Sequence, residues 1–334
     1  MKTLNSTQNF ETIQLAPEET RAISQHLTPL LSQIDSDFAL HSFAPDIAKA
    51  LRSAMRSKTL FAIESFHQRP ACLQVIQGLP VCPMLIDTPA FKDPPLNSIA
   101  LQAAFLVGYA VLRGEQPISY VEENAGRLIR HVLPNITADT EVSSHGAHIP
   151  LSAHTDIGIK PIAVAEASDR APAPMTLSLL ALRNSAQIPT EFLFVDDVVR
   201  QMGNFNLAAL QKRQFTVPSP ESFANSESAS QSLPLLVYHG GKYWVRYNDR
   251  VQGSNKSAQQ ALLAFQKVLD DKTLWHPLLL QPGAAVCWKQ NRVLHARSDF
   301  TPYYDGSDRW QIRLYGLPPR YVKPVHVEIP FLML

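Results

Sequence analysis

The chain of 334 residues lacks the marks of several large protein classes. It has three cysteines, Cys72, Cys82 and Cys287, and no C-x-x-C pair. That excludes a disulfide framework and a cysteine-built structural zinc site, and it suits a reducing, cytoplasmic setting in which each cysteine is a small buried apolar residue. Charge is also scarce, at 18% Asp, Glu, Lys and Arg, against roughly 25% in ordinary soluble domains. Thirty basic and 29 acidic side chains leave a net charge of +1, and no run of five basic residues occurs, so nucleic-acid binding by bulk charge is not expected. Residues 1–20 have no apolar run of the kind a secretory signal needs. The most apolar stretch, Ile99 to Leu112, contains Gln102 and Gly108. It falls short of the ~20 residues that span a bilayer, so it is expected to be a core helix and no membrane association follows. No internal repeat or dinucleotide-binding glycine fingerprint is visible. What the chain does have is 45% hydrophobic residues, enough to bury a large core and to exclude intrinsic disorder.

The texture changes along the chain. Pro17 followed by Glu18 and Glu19 opens a helix, since proline suits the first turn and acids suit its positive end. Apolar residues then recur at Ile23, Leu27, Leu30, Leu31 and Ile34. Asp46 to Arg56 and Ile99 to Arg113 read as further helices, separated by a proline-rich connection from Pro80 to Pro95. From about residue 117 short β-rich runs take over: Gly126 to Val132, Thr176 to Leu182, Glu191 to Val195, Ala284 to Lys289 and Arg309 to Gly316. Leu233 to His239 and Lys242 to Asn248 flank Gly240-Gly241, a hairpin signal. An amphipathic helix is expected over Ser257 to Asp271, on the stripe Ala258, Leu262, Phe265 and Leu269. Ala167 to Pro174 and the serine-rich Pro218 to Gln231 read as loops. The expectation is a mainly β fold with helical decoration, a sandwich or double-stranded β-helix (jelly roll). A helical region over 1–116 would pack on a core over 117–317 with a helical insertion near 257–271, and 318–334 would form a tail. One structural domain is preferred to two split near residue 116, because no flexible linker intervenes.

One short motif carries chemistry. His154-Thr155-Asp156 places an imidazole and a carboxylate on one face of an extended segment, two ligands for a divalent metal. Alone this means little, since 11 histidines and 29 acids produce about one H-x-[DE] by chance, and a second one exists at His326-Val327-Glu328. The context separates them. Downstream of Asp156 lie His295 and then Arg309 and Arg313, which share a strand face with Gln311, while Trp310, Ile312 and Leu314 share the other. Arginines turned inward are costly unless they meet anions. His326 has no such company. Two histidines and one carboxylate form the facial triad of non-haem Fe(II) oxygenases.

In that order the residues resemble the Fe(II)/2-oxoglutarate-dependent dioxygenases, within them the clavaminate synthase-like and taurine dioxygenase-like branch. The supporting runs are Leu151 to Asp156, Leu180-Ala-Leu-Arg183, Gly283 to His295 and Tyr304 to Trp310, and the likeness covers residues 118–317. It implies that His154, Asp156 and His295 hold Fe(II), that 2-oxoglutarate chelates the metal, that Arg309 pairs with its distal carboxylate with help from Thr190, and that O2 completes the reaction. Halogenases of the superfamily have a small residue where Asp156 stands, so oxidation such as hydroxylation is implied instead. Many clavaminate synthase-like members have glutamate there, a departure that leaves the branch open.

The resemblance also implies a small-molecule substrate, an amino acid either free or carrier-bound. Arg313 is placed to meet its carboxylate and Glu123 its ammonium; an ion-pair partner and a solvated surface acid are the plainer alternatives. Arginine-hydroxylating relatives present an R-x-D-x-D run, whereas this chain reads Arg246-Tyr247-Asn248-Asp249-Arg250. With Asn248 and Arg250 at the acid positions, a neutral or acidic side chain is expected rather than arginine. A zinc hydrolase or lyase on the same triad, and a binding protein without catalysis, remain the competing readings. The arginine pair disfavours the first and the intact triad the second.

Overall fold

A computed structural model describes residues 9–82, 84–91, 93–138, 145–219 and 231–334. Its frame is a pair of facing sheets, each backed on its outer side by helices.

The helix Pro17–Leu31 begins where expected. Glu19 accepts from the backbone N–H of Ala16 at 3.0 Å and of Arg56 at 2.9 Å, which ties its first turn to the next helix pair. Ala44–Ala54 lies against Ala100–Leu112, which is buried on nearly every side. The close approach falls at Gly108, where a Cβ would sit 2.5 Å from Leu51 Cδ1 and 2.8 Å from Ile47 Cγ2. Asp37–Ser42 and Ser57–Glu64 are additional short helices.

The region expected to be helical also supplies two strands. Phe10–Gln14 pairs in parallel with Leu73–Gln77, which pairs antiparallel with Ala284–Lys289. Leu73–Gln77 is buried on both faces over four residues, so it shows neither a helical stripe nor an alternation. From that edge the major sheet continues through Thr176–Arg183, Trp310–Leu317, Gln116–Tyr120, Ile329–Met333 and Pro324–His326, with Arg130–Val132 also paired to Trp310–Leu317. Residues 318–334 are thus partly strand, with Ile329–Met333 parallel to Gln116–Tyr120. The minor sheet runs His276–Leu278, Thr190–Phe194, Val293–Arg297, Leu151–His154.

Alternation along the strands sorts the core. Leu180, Leu182, Trp310, Ile312 and Leu314 face the N-terminal helices. Leu177, Leu179, Trp288 and Tyr315 face Phe192, Phe194 and Val293 of the minor sheet. Leu193, Leu294 and Ala296 point outward from the minor sheet onto Lys256–Leu269 and its neighbours.

Several boundaries differ from the sequence reading. Leu233 to His239 splits at Pro234, which has no N–H to donate, into Gln231–Leu233 and Leu236–His239. The hairpin partner stops at Val245, because Arg246 and Tyr247 turn their N–H groups to Leu235 and to the Thr155 hydroxyl. Gly240 and Gly241 take the positive φ values, 59° and 76°, that the tight turn demands. Gly126 to Val132 is strand only over Arg130–Val132, since Asn124 and Ala125 sit at positive φ. Most of the expected loop Pro218 to Gln231 lies outside the described residues. Cys72 and Cys287 are buried and Cys82 half-buried, and all three are unpaired. No helix among the described residues is long and apolar enough to cross a membrane.

Candidate active site

The two histidines meet through strand pairing. His154 ends Leu151–His154 and stands opposite His295 of Val293–Arg297, with ring centroids 4.0 Å apart. Asp156 follows two residues later, and its Oδ1 lies 3.3 Å from Nε2 of each histidine. The three donor atoms all lie within 4.8 Å of one another. His154 Nδ1 lies 2.8 Å from the Ser152 carbonyl, to which it can only donate, and this contact turns Nε2 toward the other two side chains. Burial and the neighbouring His154 push His295 down to about 4, so it is neutral at pH 7, the state a metal ligand requires. Burial opposes the charge on Asp156, yet the Arg313 guanidinium and the two imidazoles hold its carboxyl well below the usual range. Its second oxygen, Oδ2, accepts from Arg313 Nη1 at 2.9 Å and from the Tyr315 hydroxyl at 2.6 Å. Two imidazoles and one ionised carboxylate on one side, with the other side open to a cavity, fit Fe(II) of the facial-triad kind. His326, by contrast, is exposed on the outermost strand of the major sheet.

Across the cavity Arg309 is 3% exposed. Its Nη2 donates to Thr190 Oγ1 at 3.1 Å and to Gln311 Oε1 at 2.8 Å, while its Nε has no partner. No carboxylate among the described residues pairs with it. Burial and the Arg297 charge push its pKa down to about 9. Arg297, also buried, spends its Nη atoms on the carbonyls of Gly146 and Ile149 and leaves Nε unpaired. A buried guanidinium with no anion is an expensive arrangement, which an anionic co-substrate would relieve.

The proposed substrate residues are also brought to the cavity, with partners of their own. Glu123 is 3% exposed, so it is not the solvated surface acid of the plainer alternative. It accepts from both Arg130 and Arg313. Arg313 therefore bridges Glu123 and the metal carboxylate, with its guanidinium 4.2 Å above the Tyr315 ring. Asn248 and Arg250 line the mouth together with Asp249. Asn248 is held by the Pro218 carbonyl and the Arg250 N–H, and the Arg250 guanidinium bonds the Ser219 carbonyl. These two lie in a turn after the hairpin rather than on a strand.

Sequence reasoning missed Tyr315, Arg297, Arg130 and Asp249. Two had a signal: extending the alternation of Arg309, Gln311 and Arg313 by one step reaches Tyr315, and the i+2 rule from His295 reaches Arg297. Arg130 had none, because it meets Glu123 only after a turn at positive φ.

No protein-family profile matches the chain. Among proteins of known function it is 26% identical to an L-asparagine oxygenase of Streptomyces coelicolor over 245 residues, 73% of this chain and 70% of the relative. It is 25% identical to an enduracididine beta-hydroxylase of Streptomyces hygroscopicus over 342 residues, 91% and 93% of the two chains. Among solved structures, an asparagine oxygenase in complex with Fe(II), 3-hydroxyasparagine and succinate superposes with TM-score 0.82 at 20% identity, over 96% of this chain and 98% of that one. The non-haem iron oxygenase OrfP with Fe, succinate and (3S)-hydroxy-L-Arg gives 0.80 at 19%, over 97% and 99%. The fold is that of the iron, 2-oxoglutarate oxygenases. With that fold the chain combines a His154–Asp156–His295 donor set of the kind Fe(II) takes, and over most of its length it is similar to amino-acid oxygenases and hydroxylases.

Proposed function

We propose that the protein hydroxylates an unactivated C–H bond of a small amino acid with a neutral or acidic side chain, free or tethered to a carrier. The observation that carries this reading is a single cavity holding the His154, Asp156 and His295 donors, an anion-free buried Arg309 and the Glu123–Arg313 pair. The two facing sheets would then be the halves of a jelly roll, with residues 1–116 and the insertion near 257–271 packed on it as one structural domain. Three unpaired cysteines support a reducing, cytoplasmic location.

His154, Asp156 and His295 would hold Fe(II), which together with 2-oxoglutarate and O2 supplies oxygen insertion into a C–H bond while the co-substrate becomes succinate and carbon dioxide. Arg309 and Thr190 bind and orient the distal carboxylate, a contact that suits the planar guanidinium. Arg313 receives the substrate carboxylate and Glu123 its ammonium. Leu177, Leu179 and Trp288 form the apolar wall that excludes water beside the metal.

The test is anaerobic protein with Fe(II) and 2-oxoglutarate. A visible charge-transfer band requiring both is expected, and its absence would return the site to a hydrolase. A screen of amino acids by succinate release then reads the substrate. Arginine belongs in the panel, because Asp249 stands at the mouth beside Asn248 and Arg250. Turnover of arginine would overturn the expectation drawn from those two residues.

A further inference from the structure

Tyr315 sits in the middle of the major sheet, its backbone paired with Leu177 on one side and Ile118 on the other. Its ring packs edge-on against Tyr120, with centroids 5.9 Å apart, and Tyr120 is itself pinned by a 2.6 Å hydrogen bond to the Pro172 carbonyl. So fixed, the Tyr315 hydroxyl donates to Asp156 Oδ2 at 2.6 Å. The two oxygens of that carboxylate have separate work: Oδ1 faces both histidine Nε2 atoms at 3.3 Å, while Oδ2 is taken by Tyr315 and Arg313.

The two donors on Oδ2 are not equivalent. Arg313 divides its guanidinium between Asp156 and Glu123, and a substrate carboxylate would compete for it. Among the described residues, the only side-chain acceptor of the Tyr315 hydroxyl is Asp156. We infer that Tyr315 is a positioning residue that makes Asp156 a one-oxygen donor to the metal, and that it keeps the carboxylate in place when Arg313 is drawn to substrate. Without it, Oδ2 is released and the carboxylate is free to offer both oxygens, closing a coordination position that the co-substrate or O2 needs. This rests on the metal reading above.

The experiment titrates the metal-free protein with Co(II), following the visible absorption and the dissociation constant, with and without 2-oxoglutarate. Tyr315→Phe keeps the ring under Arg313 and removes only the hydroxyl. Partners of metal ligands are typically worth 10–100-fold in metal affinity, so Co(II) binding about 10–100-fold weaker is expected, with an altered visible spectrum and a melting temperature close to wild type. Placing p-aminophenylalanine at 315 restores a donor and is expected to return both readouts toward wild type. If Tyr315→Phe does not fold, Tyr315→Met serves as the donor-free variant. Unchanged Co(II) affinity and spectrum in a folded donor-free variant would overturn the inference. Wild-type protein that binds no Co(II), or binds it equally well after His154→Ala, would instead overturn the metal reading itself.

Discussion

Removing Arg309 separates the fold from the function, because its guanidinium is buried without an anion. In Arg309→Met the unliganded protein gives up hydrogen bonds to Thr190 and Gln311, each worth about 1.5–3 kcal/mol at most for a charged donor. It also sheds the desolvation cost of an unpaired buried charge, several kcal/mol of opposite sign. The unliganded variant is therefore expected to melt at or above the wild-type temperature. Co-substrate binding moves the other way. Removing one partner of a buried ion pair typically costs about 3–5 kcal/mol, or a factor of hundreds to thousands in dissociation constant. Melting curves with Mn(II) supplied in place of Fe(II) read both effects at once. At 2-oxoglutarate a hundredfold above its dissociation constant the wild type gains about 2.7 kcal/mol, and the variant should gain almost nothing. Arg309→Lys, with its charge but not its fork, should fall between. A variant that is strongly destabilised without ligand, yet keeps the full shift on adding 2-oxoglutarate, would refute the assignment of Arg309 as the anion partner.

His154→Ala, Asp156→Ala and His295→Ala are each expected to abolish metal uptake and turnover while circular dichroism stays native; His326→Ala should change neither, and loss of activity there would mean the other H-x-[DE] is the metal motif. Lys289 donates to the Arg69 carbonyl at 2.7 Å, and burial pushes its pKa from 10.5 down to about 8. Between those two values the unfolded chain binds more protons than the native one, so wild-type stability should rise with pH across that window relative to Lys289→Met, by up to about 3 kcal/mol. Denaturant titrations at pH 7, 9 and 10.5 would check it, and parallel pH profiles would refute it. Gly108→Val inserts a side chain into the contact with Leu51 and Ile47 and is expected to cost about 1–3 kcal/mol or more in stability, with 2-oxoglutarate binding by the remaining folded protein unchanged.

The metal ligands were legible because they obey local rules. His154 and Asp156 are two residues apart at a strand end, and Arg309, Gln311 and Arg313 alternate on one face. Their meeting with His295 followed from the resemblance, since strand pairing between Leu151–His154 and Val293–Arg297 leaves no mark on either segment alone. Leu73–Gln77 escaped notice because a strand buried on both faces has no period to detect. The Glu123–Arg130–Arg313 contact escaped for a different reason: it depends on a turn at Asn124 and Ala125 that non-glycine residues rarely adopt. Chemistry carried on strand faces was therefore readable, and chemistry carried by loop conformation was not.

The cross-strand opposition of His154 and His295 gives the metal a mechanical part as well. A metal bound to both rings would be a rivet through the outer edge of the minor sheet, because among the described residues Leu151–His154 is the last strand there and Val293–Arg297, which carries His295, its sole strand neighbour. Edge strands are the first to fray. The rivet also joins points far apart in sequence, so it restrains the unfolded chain as a long-range cross-link would. Losing the metal would then loosen the same strand that leads into Asp156, and the Thr155 hydroxyl that receives the Tyr247 N–H would slacken with it. The mouth residues Asn248 and Arg250 follow directly after Tyr247. An unmetallated molecule would in this way present a looser entrance at Asn248 and Arg250.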